Sequence, residues 1–131
     1  MSKIKKPKSF VEKVTLEVFE ADIYIVITED PNSYVENAGI SGWVKDYPDQ
    51  DLQDHTDAMT FRVGFSDMYL LMSPNATVGT MAHECIHCIC SIFNDRGIKS
   101  NLDDTENLAY HVGWLTDMTF KAFRKSMKLW K

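Results

Sequence analysis

Residues 80–90 read TMAHECIHCIC, and the spacing of their apolar side chains decides what kind of domain the chain can form. With His83 at zero and about 100° per residue, His87 falls near ~40°, Thr80 near ~60°, Ser91 near ~80° and Glu84 near ~100°, so the polar groups share one helix face. The rest of the wheel is a wide apolar arc made by Val78, Met81, Ala82, Cys85, Ile86, Cys88, Ile89, Ile92 and Phe93. Such an arc has to be covered by other elements. A helix over 76–95 is expected, packed on a core and carrying its histidines outward.

Upstream, the pattern changes from the helical to the strand period. VTLEVFE, residues 14–20, alternates Val14, Leu16 and Val18 with polar neighbours, and DIYIVITED, residues 22–30, is a β-branched and aromatic run ended by Pro31. Both predict strands. AMTFRVGFSDMYLLMS, residues 58–73, predicts two more, broken around GFSD as a hairpin. Residues 30–57 are rich in acids and turn formers, with room for a short helix in SYVENAG, and read as a loop facing a substrate. Downstream, NDRGIKSNLD separates the first helix from a second over 104–129, with Gly97 as a natural stop. Strands followed by helices, without repeats or a linker, give an α+β fold in one domain, residues 1–131, with residues 1–9 as a flexible basic tail.

Composition narrows the function. The chain has 131 residues, of which 44% are hydrophobic, enough for one core without disulfide or metal staples. Its three cysteines lie within six positions of one another, so no disulfide framework can form and reduced thiols are expected. Cys85 and Cys88 point into the apolar arc as buried thiols, while Cys90 shares the histidine face. No stretch serves as a signal h-region or a bilayer span, which predicts a cytoplasmic protein that does not enter a membrane. The net charge is −5, with most lysines and arginines gathered at the two ends and every acid except Glu12 lying between them, where only Lys45, Arg62, Arg96 and Lys99 oppose the acids. That acidic middle argues against a nucleic-acid partner.

His83 and His87, one turn apart, can aim two imidazole nitrogens at one ion, and Glu84 beside them can reach a water on it. This is the H-E-x-x-H arrangement of zinc hydrolases. Two neutral histidines hold Zn2+ without cancelling its charge, which leaves it able to bring the pKa of bound water toward ~7. Glu84 is then the general base. A catalytic site of this type needs a third protein donor and an open fourth position, and Glu106, early in the second helix, is the candidate. The connecting residues are long enough to return the chain to the metal. Glu106 also fits a capping role, since Asp103-x-x-Glu106 is an acidic analogue of the capping box. Ala109, Tyr110 and Gly113 share its face and would let the two helices approach closely. His111 points elsewhere on the helix, and His55 in the acidic loop could serve as a transition-state donor rather than a ligand.

HECIH followed by Glu106 in TENLAY resembles the gluzincin branch of zinc metallopeptidases, and in particular the very short metallopeptidases encoded by bacteriophages. Their pattern joins an H-E-x-x-H helix, a glycine-containing turn and an E-x-x-A-Y segment, here residues 77–114. The resemblance implies a small zincin-like domain with an antiparallel or mixed sheet, His83, His87 and Glu106 as zinc ligands, and Glu84 as base. It further implies a peptide or protein substrate bound along an edge strand, MYLLMS, just before the helix, in the cytoplasm of the host if the chain is phage-encoded. Metzincins differ, because they continue the first helix with a glycine and a third histidine where this chain has Cys90 and Phe93. Two functions follow from different classes: a peptidase, or a zincin-like zinc-binding module that works by protein interaction. Glu84 favours the first, since a binding site needs ligands but no base.

Overall fold

A computed structural model describes residues 8–40, 42, 58–64, 66–98 and 105–130. In chain order the elements are β1 (Ser9–Leu16), β2 (Ala21–Thr28), α1 (Pro31–Asn37), β3 (Ala58–Val63), β4 (Asp67–Met72), α2 (Val78–Asp95) and α3 (Thr105–Ser126), with short 3-10 turns at Glu17–Phe19 and Met127–Trp130. The fold is α+β, with a mixed four-stranded sheet in the order β1-β2-β4-β3.

β1 pairs antiparallel with β2 from Ser9↔Thr28 to Leu16↔Ala21. This long register starts the first strand earlier than the alternation over 14–20 suggests and ends it at Leu16. The remaining residues make the reversal: Glu20 adopts a left-handed φ of 51° and Val18 stands 80% exposed. Of the basic tail expected over 1–9, Ser9 is paired with Thr28 and Lys8 Nζ donates to the Leu129 carbonyl at 2.7 Å, while residues 1–7 lie outside the described residues. The hairpin expected around GFSD forms, with β3 and β4 antiparallel and Gly64 at φ 70° in its turn.

The parallel pairing of β2 with β4 sets the plan of the sheet. It places β4 inside, so MYLLMS is not an edge strand, and among the described strands the edge beside the helix is β3. The physical reason is visible in β4 itself: Met68, Leu70, Leu71 and Met72 are all buried, which requires cover on both faces. β2 is similar, with Ile23, Ile25, Val26 and Ile27 fully buried. β3 alternates instead, sending Met59 and Phe61 to one face and Thr60 toward α2.

Each sheet face has its own core. Ile23, Ile25, Ile27, Met68, Leu70 and Met72 pack under α2 and α3 against Met81, Cys85, Ile89, Phe93 and Leu115. Val26, Leu71, Met59 and Phe61 face the other way and are closed by Val35 of α1 and by Ile40. Each fully buried large aliphatic side chain contributes roughly 1.5–3 kcal/mol relative to an exposed one.

Candidate metal and catalytic site

The helix α2 is defined at both ends by local chemistry. Thr77 caps its start, its Oγ1 accepting the Thr80 N–H at 3.1 Å. Gly97, at φ 69°, ends it, and the Ile98 N–H returns to the Phe93 carbonyl at 2.9 Å. Between these caps the apolar arc is buried as its period predicts, through Met81, Cys85, Cys88, Ile89, Ile92 and Phe93. The arc's margins are not covered: Ile86 is 46% exposed and Val78, in the first turn, 56%.

On the open face, His83 and His87 meet. Their Nε2 atoms lie 3.1 Å apart, and the rings stand at 71° to each other. The two nitrogens are hydrogen-bonded, one ring donating to the other, and their separation is close to the about 3.3 Å between two imidazole nitrogens bound to one tetrahedral zinc at ~2.0–2.1 Å. Both rings are exposed, so an ion can reach them.

Glu84 leaves the same helix at a different angle and points to the edge strand. Thr60 Oγ1, on β3, donates to Glu84 Oε2 at 2.6 Å and also lies 3.1 Å from the Glu84 carbonyl oxygen. The carboxylate is thus half-buried between the histidine face and the sheet edge. Sequence reading did not single out Thr60. A lone polar residue at a core-facing position of a strand is the only local signal, and it does not name a partner 24 positions away.

Glu106 lies in the first turn of α3, and its side chain is exposed. The face it shares with Ala109, Tyr110 and Gly113 is turned to solvent rather than toward α2, and Tyr110 is 75% exposed. α3 docks through Leu115, Thr119, Ala122 and Phe123 instead, aided by Leu108 and Val112. Those large side chains bury far more apolar area than an alanine and a glycine can. Among the described residues no three His, Cys, Asp or Glu side chains form a group that could hold a metal ion. His83 and His87 are therefore brought together, and Glu106 does not complete a set with them. Asp103, and with it the capping alternative for Glu106, lies outside the described residues, as do His55 and residues 43–57 of the acidic loop.

His111 is part of the packing, as its position on the wheel suggests. Its ring sits 5.4 Å from that of Phe93 and 5.7 Å from that of Phe19, with Nδ1 2.8 Å from the Asn107 carbonyl. Cys85 and Cys88 are buried and Cys90 is half-buried, all three as free thiols. A cavity of about 530 Å³ lies apart from the histidine pair, lined by Glu29, Ser73, Pro74, Asn75, Met127 and Trp130. Among the described residues no helix is long and apolar enough to cross a membrane.

No family model, curated protein or solved structure matches the chain, so the site is read from its own chemistry.

Proposed function

We propose that the protein is a zincin-like, zinc-dependent metallopeptidase of the cytoplasm that hydrolyses bonds in a peptide or an exposed protein segment. The observation that carries this reading is the convergence of His83 and His87 Nε2 at 3.1 Å, beside a glutamate whose carboxylate is tied to the edge strand. Two neutral imidazoles on one helix turn suit zinc, and an open catalytic site takes a third protein ligand, which among the described residues does not stand with the pair: Glu106, the candidate from the sequence, faces solvent and would reach the ion only if the start of α3 turned toward α2. When bound, zinc supplies a Lewis acid that makes a water nucleophilic near neutral pH.

The chain's own groups do the rest. Glu84 takes the proton of the attacking water and delivers it to the departing amine, a transfer within reach of a side chain on the same helix as the two histidines. β3, with one neighbour among the described strands, can hold an extended substrate by main-chain hydrogen bonds beside Glu84. A peptide on that edge lies along the strand that carries Thr60.

The alternative is a zincin-like zinc-binding module acting by protein interaction, which would need the metal ligands but not Glu84 as a base. The experiment that separates them compares zinc-loaded wild type with Glu84→Gln on a diverse peptide library. The amide keeps the shape but accepts no proton at neutral pH. A loss of roughly 10²–10⁴ in rate with zinc retained supports the peptidase. Two proteins equally inert on peptides and equally competent in the organism would leave only the module.

A further inference from the structure

We propose that Thr60 is the positioning residue of the site, its hydroxyl holding one oxygen of Glu84 so that the other is left to take the proton. This inference rests on the peptidase reading and concerns how its base is held. The first support is burial. Thr60 is 5% exposed and lies in register with Leu70 of the interior strand, among apolar neighbours. A valine there would fill the same volume, suit the strand equally well and leave no hydroxyl to satisfy. The buried hydroxyl instead spends its single proton across the fold, on a residue of α2.

The second support is the division of acceptors. The Thr60 oxygen is 2.6 Å from Glu84 Oε2 and 3.1 Å from the Glu84 main-chain oxygen. The shorter contact to a carboxylate takes the proton, since charge-assisted hydrogen bonds are shorter and stronger than neutral ones. Among the described residues Thr60 is the only side chain bonded to that carboxylate, so Oε2 is engaged and Oε1 is left to act. A glutamate side chain otherwise samples several rotamers at an entropic cost that has to be met at each turnover. Held from β3, it is aimed before substrate arrives, and misplacement of a catalytic group by about 1 Å can cost on the order of 10² in rate.

Three variants test this: Thr60→Val removes the hydroxyl at constant volume, Thr60→Ser keeps it, and Thr60→Val is also combined with Glu84→Gln. For zinc-loaded proteins of equal zinc content, Thr60→Val is expected to lower kcat roughly 10–100-fold with KM unchanged. Thr60→Ser is expected to restore kcat, and Thr60→Val to add nothing once Glu84→Gln is present. Independently of activity, the carboxyl carbon resonance of Glu84 in the zinc-free protein at fixed pH should shift in Thr60→Val and stay in place in Thr60→Ser. Wild-type kcat in Thr60→Val, or equal losses in Thr60→Val and Thr60→Ser, would overturn the proposal. If wild type cleaves nothing, the peptidase reading falls and the catalytic role of Thr60 with it. The carboxyl resonance then decides separately whether Thr60 holds Glu84: a shift keeps the positioning contact, and an unmoved resonance removes it.

Discussion

Cys85 Sγ lies 3.5 Å from Thr119 Oγ1, and this buried contact joins α2 to α3 on the far face of α2 from His83. Burial pushes the Cys85 thiol above its ordinary range, against hydrogen bonds from Thr119 and Thr116 that pull it down. Burial pushes Cys88 well above that range, with Cys85 and Glu84 adding to the effect. The thiolate is the reactive form, so both cysteines are protected twice, by access and by protonation. Alkylation of the native protein near pH 8 should therefore modify half-buried Cys90 first and leave Cys85 and Cys88 intact until the protein unfolds. Mass-spectrometric mapping reads the order, and early labelling of Cys85 would contradict the orientation of α2.

Zinc binding should depend on the histidine pair. His83→Ala and His87→Ala are each expected to weaken zinc by on the order of 100-fold or more, since a ligand is worth at least as much as the outer contacts that orient it. Elemental analysis after mild chelation measures the loss. Glu106→Ala tests the third ligand: a comparable loss of zinc would show that Glu106 reaches the ion although it does not stand with the pair. Full zinc retention in Glu106→Ala, with loss in Asp103→Ala or His111→Ala, would move the third ligand elsewhere.

Tyr34 offers a pH marker on the opposite face of the sheet. Its hydroxyl is pushed up to about 12, from 10.0, by burial first and then by Tyr69 and Tyr24. Tyr24 and Tyr69 are register partners with rings stacked 4.7 Å apart. A raised folded-state pKa means that the neutral phenol is favoured in the native protein. The stability it contributes is present below pH 10 and is lost as pH rises from about 10 to about 12. Tyr34→Phe should flatten this part of the stability profile, as read by denaturant unfolding at successive pH values. Its removal should also delete a late-ionising tyrosine from an ultraviolet titration.

The start of α2 should be sensitive to its cap. Thr77 Oγ1 accepts the Thr80 N–H, a donor that has no partner inside the helix. Thr77→Ala is expected to cost about 1 kcal/mol, within a range of roughly 0.5–2, while Thr77→Ser or Thr77→Asp should cost much less. Urea unfolding measures the difference. An alanine variant as stable as wild type would show that the turn after Met72, rather than the cap, holds the helix in place.

Legibility differed among the parts of the site for physical reasons. His83 and His87 could be paired from the sequence because residues four apart on a helix are neighbours whatever the rest of the chain does. The buried side of α2 was equally plain, because one wide arc of large apolar residues admits one orientation. α3 was harder. Glu106 and Leu115 are about 180° apart on its wheel, and either face could be placed against α2 when Ala109 and Gly113 are read as packing surface. Burial of Leu108, Val112, Leu115 and Phe123 outweighs that option, and the acidic face goes to solvent. A signal for the interior strand was also present, since consecutive apolar residues such as Leu70, Leu71 and Met72 leave no polar side for solvent.

What the sequence by itself determined is therefore local: the strand and helix periods, the stop at Gly97, the inward thiols of Cys85 and Cys88, and the two histidines on one turn. Each follows from side-chain spacing within a single element, where geometry is set by the backbone period alone. Only the tertiary structure decided that β2 runs parallel to β4, that β3 forms the edge beside α2, and that Thr60 bonds to Glu84. These are pairings between residues far apart in the chain. They are selected by how two buried faces fill one core, a sum over many side chains that no single stretch of sequence contains.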